Sequence, residues 1–230
     1  MIRLVNVLPD VSGNSAELVK IKCLYDAYKD DTKVLFWCQD EGNAIISMTD
    51  GNMIIYNNGA NTEELREFAD VLGPACVYSD YDTLCAIGRK PRERINIMYI
   101  DAKAKCQVQG DSVNSKEIYD LLDVEGLSLP EYPYFAVDYC RRINHGGADS
   151  FALKDKCAAI SFKSGDFAII NGIAAKQKGY GNVALNAILE KNNGKRLFVC
   201  CRDKVKGFYE KNGFKPLYYG GYWVKEIEHN

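Results

Sequence analysis

The stretch Phe167–Leu189, "FAIINGIAAKQKGYGNVALNAIL", decides how this chain is read. An apolar run over 167–175 ends in Lys-Gln-Lys-Gly-Tyr-Gly, and apolar residues then resume at helical spacing as Ala184, Leu185, Ile188 and Leu189. Glycine in such a turn has no Cβ and tolerates positive φ, so the backbone can come close to a ligand. A helix that begins there points unpaired N–H groups and its positive dipole end into the turn. With Lys176 and Lys178 alongside, the segment is either a plain strand–turn–helix corner or a cradle for an anion such as a phosphate. The four apolar helix positions read as core that fastens the helix to a sheet.

The rest of the chain narrows the choice. Its 230 residues suit one large domain or two small ones, and 47% hydrophobic with 26% charged residues is ordinary globular composition. A net charge of −2 gives no sign of a nucleic-acid surface or a polybasic membrane patch. No apolar run approaches a bilayer span, and "MIRLVNVLPD" at the start is too short for a signal peptide. A cytoplasmic protein that touches neither nucleic acid nor membrane is expected. The nine cysteines (23, 38, 76, 85, 106, 140, 157, 200, 201) are odd in number and without CxxC, and most sit in apolar runs such as "LFVCC". They read as buried free thiols rather than a disulfide framework. The two histidines, His145 and His229, make no zinc spacing, so no metal site is expected.

The sequence repeats itself. "ISMTDGNMIIYNN" (46–58) aligns without gaps to "ISFKSGDFAIING" (160–172), with identical pairs Ile46/Ile160, Ser47/Ser161, Gly51/Gly165, Ile55/Ile169 and Asn57/Asn171. Both read as hairpins. Each is followed by a helix (61–73; 181–194) and a short apolar strand (75–78; 196–201), which points to a duplication. The basic, proline-containing "GRKPRERI" (88–95) marks the boundary, dividing the chain into 1–90 and 91–230. The second half reads as strand 95–100, a helix near 114–126 capped by Asn114 or Ser115, a loop "LSLPEYPY" and a helix from 134 to a glycine pair at 146–147. Strands near 149–155, 157–163 and 166–175 follow, then helix 180–192, strand 196–201, helix 203–212 and strands 214–219 and 222–227. Adjacent strands alternating with crossover helices imply an α/β (α+β) fold with a mixed central sheet.

This order and two motifs resemble the GNAT superfamily of acetyl-CoA-dependent N-acetyltransferases over about 94–228. The pyrophosphate loop of that family, Arg/Gln-x-x-Gly-x-Gly/Ala, is matched by Lys176-Gln177-Lys178-Gly179-Tyr180-Gly181. "GFYEKNGFK" (207–215) is similar to its aromatic-Tyr-Glu-Lys-x-Gly-Phe signature. The sequence departs from the family in having Lys176 for Arg or Gln, no proline before the loop, Arg202 in place of a cofactor-contacting Asn, and Val205 where Ala is common. The first half looks like a truncated, degenerate copy. It has "YNNGANTEEL" (56–65) in place of the loop, where Glu63 and Glu64 would repel a pyrophosphate, and it is read as structural.

The resemblance implies acetyl transfer from acetyl-CoA to a primary amine of a small molecule or peptide by direct attack in a ternary complex. The alternative is a non-catalytic acyl-CoA-binding regulatory module. It implies backbone pairing of the pantetheine arm near Ile170–Ala174, including Ile173 and Ala174, with a bulge in that strand supplying a donor N–H. Cofactor contacts from 176–181, Asn182, Arg202 and Phe208 are also implied. Tyr209 matches the family's proton donor to the departing thiolate, or else is a core tyrosine between Phe208 and Phe214. Tyr134 and Asp138 share a helix face that would line the acceptor pocket, or simply be solvated. His145 is either a base or a helix C-terminal cation. A monomer or homodimer is expected.

Overall fold

A computed structural model describes residues 1–104 and 107–226; Cys106, residue 227 of the expected last strand, and His229 lie outside them. The described elements are β1 (Ile2–Leu4), α1 (Ala16–Tyr28), β2 (Leu35–Gln39), β3 (Ala44–Thr49), β4 (Asn52–Asn57), α2 (Thr62–Leu72), β5 (Cys76–Asp80) and α3 (Tyr81–Ala86). There follow β6 (Arg94–Asp101), α4 (Ser115–Leu122), α5 (Tyr132–Asn144), β7 (Ala148–Leu153), β8 (Cys157–Ser164), β9 (Phe167–Ala175), α6 (Tyr180–Lys191), β10 (Arg196–Cys201), α7 (Asp203–Lys211) and β11 (Lys215–Val224). The class is the expected α+β, with mixed strand pairing flanked by helices.

Two compact units emerge. One holds Met1–Met98, Cys200–Gly207 and the chain from Pro216; the other holds Tyr99–Val199 and Phe208–Lys215. They differ from a simple division near residue 90, because most of the C-terminal strand joins the first unit. There the strand order is β1-β2-β3-β4-β5-β11, antiparallel except for the parallel β4–β5 pair. Asp50-Gly51, both at positive φ, make the tight turn of the β3–β4 hairpin. Alternation along β3 sends Ile45 to one face, with Leu18, Ile21 and Leu24 of α1, and Ala44 and Ile46 to the other, with Leu65 and Ala69 of α2.

The expected strands 214–219 and 222–227 are one continuous strand. The glycine pair that reads as a break instead permits close packing: a Cβ on Gly221 would stand 2.7 Å from Pro91 Cβ, and one on Gly220 3.2 Å from the Ser79 carbonyl. The helix expected from 134 begins two residues earlier, with Pro133 in its first turn, where the missing N–H costs nothing.

In the second unit β7, β8 and β9 form an antiparallel meander, and β10 pairs parallel to β9. Ile118, Leu121 and Leu122 of α4 and Phe135 of α5 cover one face with Ile160 and Ala174. Ala184, Leu185 and Ile188 of α6 are fully buried. Asn114 caps α4 in a reciprocal capping box with Glu117. The repeat is legible in the elements, since helix, two antiparallel pairs, helix and parallel strand recur in the same order. No described helix is long and apolar enough to cross a membrane. None of the eight described cysteines is joined in a disulfide to another described cysteine.

Candidate functional site

The site is built on β9 and its continuation into α6. Along β8–β9 the register runs from Cys157↔Ala175 to Ile160↔Gly172, then shifts to Ser161↔Ile170, leaving Asn171 as a bulged residue. The parallel register between β9 and β10 ends at the same place, at Ile170↔Val199. The ladder on both sides of β9 therefore changes at Asn171, where a bulge was expected. The corresponding β3–β4 ladder of the first unit is regular from Ala44↔Asn57 to Thr49↔Asn52.

Beyond the bulge, Ile173 is half-buried and Ala174 buried, while Lys176, Gln177, Lys178 and Gly179 are exposed. Lys176 N–H donates to the Lys156 carbonyl (2.7 Å), fastening the loop to the β7–β8 turn. Gly179 is the N-cap of α6 at φ 92°, a left-handed conformation that a side chain resists, and a Cβ there would meet nothing within 4 Å. Among the described residues no side chain caps this helix, and no acidic residue occupies its first turn, so its dipole is not answered from within. Gly181 lies under Phe208, whose ring would be 3.5 Å from a Cβ there. Asn182 accepts from Asn212 Nδ2 (3.0 Å), tying the start of α6 to the end of α7.

The helix start of the first unit is the opposite case. Asn61 accepts from the N–H groups of Glu63 and Glu64, and Glu64 accepts from Ile2 N–H (2.5 Å) and Gln39 Nε2 (2.6 Å). There the chain supplies its own anion.

Tyr209 is 5% exposed, edge-on to Phe208 and Phe214 with ring centroids 5.1 and 5.3 Å away. Arg202 belongs to the first unit, where it pairs with Glu93 (3.2 Å). Tyr134 is 69% exposed on α5. Both carboxylate oxygens of Asp138 accept from Arg142 Nε, at 2.8 and 3.0 Å, and Arg142 lies over the Phe162 ring. Exposed His145 caps α5, its N–H donating to the Arg141 carbonyl (3.0 Å). The structure thus groups 176–182 with Phe208, but engages Asp138 with its own helix. Sequence reading passed over Lys156, whose ammonium lies 5.2 Å from the Tyr180 ring centroid beside the glycine turn. Nothing in its local sequence marks it, because only the β8–β9 pairing brings it there.

No family model matches the sequence, and no curated protein resembles it significantly. Solved structures do resemble it in shape. A protein from Novosphingobium aromaticivorans, provisionally named an acetyltransferase of the GNAT family, superposes with a TM-score of 0.55 at 10% identity, over 93% of this chain and 100% of that one. A provisionally named acetyltransferase from Pyrococcus horikoshii gives 0.54 at 11% identity, over 100% and 91%. A conserved protein of unknown function from Staphylococcus epidermidis gives 0.52 at 14%, over 88% and 97%. At these identities the likeness is one of architecture: the chain has a GNAT-like fold.

Proposed function

We propose that the protein is an N-acetyltransferase that moves an acetyl group from acetyl-CoA to a primary amine of a small molecule or peptide by direct attack in a ternary complex. One observation carries this: a single strand, β9, bulges at Asn171 where its pairing with β10 ends, and then runs into an uncapped, glycine-opened helix start. The cofactor fits that start, because its first-turn N–H groups have no acidic side chain in competition and Lys176 and Lys178 flank them. The main chain at 178–182 would hold the diphosphate, with Asn182 and Phe208 beside it. The β9 edge at Ile173 and Ala174 would pair with the pantetheine amides. When bound, the thioester supplies an activated acetyl group.

The chain's own residues would do the rest. A main-chain N–H at the bulge is suited to stabilise negative charge on a carbonyl oxygen. An amine with a reference pKa of about 10.4 must lose a proton, and a thiolate with a reference pKa of about 8.5 is helped by a donor, the role given to Tyr209. The first unit is a degenerate copy, its helix start closed by Asn61 and Glu64 and its hairpin unbulged. A second reading, a non-catalytic acyl-CoA-binding module, draws on the burial of Tyr209 and the engagement of Asp138 by Arg142.

Calorimetry with coenzyme A tests the common ground: heat of binding is expected, and its absence overturns both readings. Gly179→Val should abolish a coenzyme A-induced rise in Tm. Thiol release with an amine panel separates the readings, since only the enzyme turns over. Turnover undiminished in Tyr209→Phe would remove the donor role.

A further inference from the structure

The first unit contains a cavity of about 560 Å3 at the carboxyl ends of its parallel strands β4 and β5, the position where open α/β sheets receive ligands. Tyr56, Asn57 and Asp80 line it from the strand ends, Tyr81 and Asp82 from α3, and Ser15 and Glu17 from the start of α1. Glu17 is the unusual member. It is 2% exposed, and a buried carboxylate is costly unless its oxygens are satisfied. One oxygen, Oε2, accepts from Ser15 Oγ (2.7 Å) and from Tyr218 Oη, and Tyr218 Oη in turn accepts from Ala16 N–H (2.9 Å). The other, Oε1, has no hydrogen-bond partner among the described residues. Lys20, one turn along α1, does not fill that role: its ammonium donates to Tyr222 Oη (2.9 Å) and lies 3.9 Å from the Tyr78 ring centroid.

The carboxylate is therefore fixed by two hydroxyl donors on one oxygen and holds the other in reserve. The cavity around it carries three carboxylates, of Glu17, Asp80 and Asp82, against one guanidinium, Arg94. Arg94 stacks on the rings of Tyr81 (4.2 Å) and Tyr219 (5.5 Å). Asp80 is committed to capping α3 through Thr83 N–H (2.8 Å), which leaves Glu17 as the buried anion facing the space. A buried carboxylate among tyrosine side chains suits an organic ammonium, which donates a charge-assisted hydrogen bond to it and leaves its apolar part against the rings. A bare divalent ion would want several oxygen ligands, and Glu17 has one to give.

We infer that this cavity binds a small molecule through a primary ammonium group received by Glu17 Oε1. The first unit is then a ligand-binding unit, whether or not coenzyme A binds the second.

The test uses the full chain without coenzyme A, titrated by calorimetry and ligand-observed NMR with putrescine, 2-phenylethylamine and the neutral isostere 2-phenylethanol. At least one amine should saturate at millimolar concentration or below while the alcohol does not bind. Glu17→Gln, which keeps an oxygen for Ser15 and Tyr218, should weaken the amine at least tenfold. Asp82→Asn, at an exposed position, should weaken it by a smaller factor. Three outcomes overturn the inference: no amine binds, the alcohol binds equally well, or both variants bind like the wild type. Coenzyme A added afterwards reports on the other site separately, so failure of either leaves the other standing.

Discussion

Replacing Gly221 by alanine probes the placement of the C-terminal strand most directly. Gly221 lies in β11 opposite Ser79 of β5, and its φ is not in the left-handed region, so alanine meets no backbone penalty. The new methyl would stand 2.7 Å from both Cβ and Cγ of Pro91 and 3.3 Å from Leu84 Cδ1. Carbon pairs prefer about 3.5–4.0 Å, so two atoms of a rigid, buried ring are overlapped by nearly 1 Å. The ring cannot rotate away, and relief requires movement of the backbone. Overpacking of this kind costs about 1–3 kcal/mol. At roughly 2–4 °C per kcal/mol for a chain of this length, Tm should fall by about 2–12 °C. Gly207→Ala is the control, since Gly207 lies within α7 with nothing within 4 Å of its Cβ position. It should gain about 0.8–1.0 kcal/mol from helix propensity alone. Differential scanning calorimetry on both variants reads the sign. Adding Pro91→Ala to Gly221→Ala should recover stability, with a coupling of about 0.5–3 kcal/mol. If Gly221→Ala is as stable as the parent, or the double variant recovers nothing, the strand does not pack as described.

Deleting the chain from Pro216 would turn β5 into an edge, and faster amide exchange at Val77 and Ser79 should report it; unchanged protection would contradict the β5–β11 pairing. Phe198, fully buried in β10, should cost about 3–5 kcal/mol on truncation to alanine, measured by denaturant midpoint. Asn61→Ala, which strips two N–H groups of their acceptor at the start of α2, should cost about 0.5–2 kcal/mol. A loss below 0.3 kcal/mol would mean that Glu64 alone holds that helix end.

Much of the architecture was legible in local residues. The period-2 apolar strands, Asp50-Gly51 in one hairpin, Asn114 with Glu117 at a helix start, and Gly179 in a left-handed turn are each decided within a few positions of chain. The hairpin repeat could be read for the same reason, and so could the glycine loop, which with "GFYEKNGFK" and the order of elements carried the GNAT-like reading. What stayed hidden depended on residues far apart. Sequence could place Asp138 beside Tyr134 but not show that Tyr134 would face outward while Arg142 claimed the carboxylate. It could not show that the glycine pair at 220–221 would pack against Pro91 and Ser79 instead of ending a strand. Nor could it bring Tyr218 to Glu17, some two hundred residues away, where a buried carboxylate is left with one unanswered oxygen. Hydrogen bonds along a turn or helix end are set by chain connectivity, which sequence states outright. The partner of a buried charge is whatever the folded chain brings within about 3 Å, and only the tertiary structure decides that.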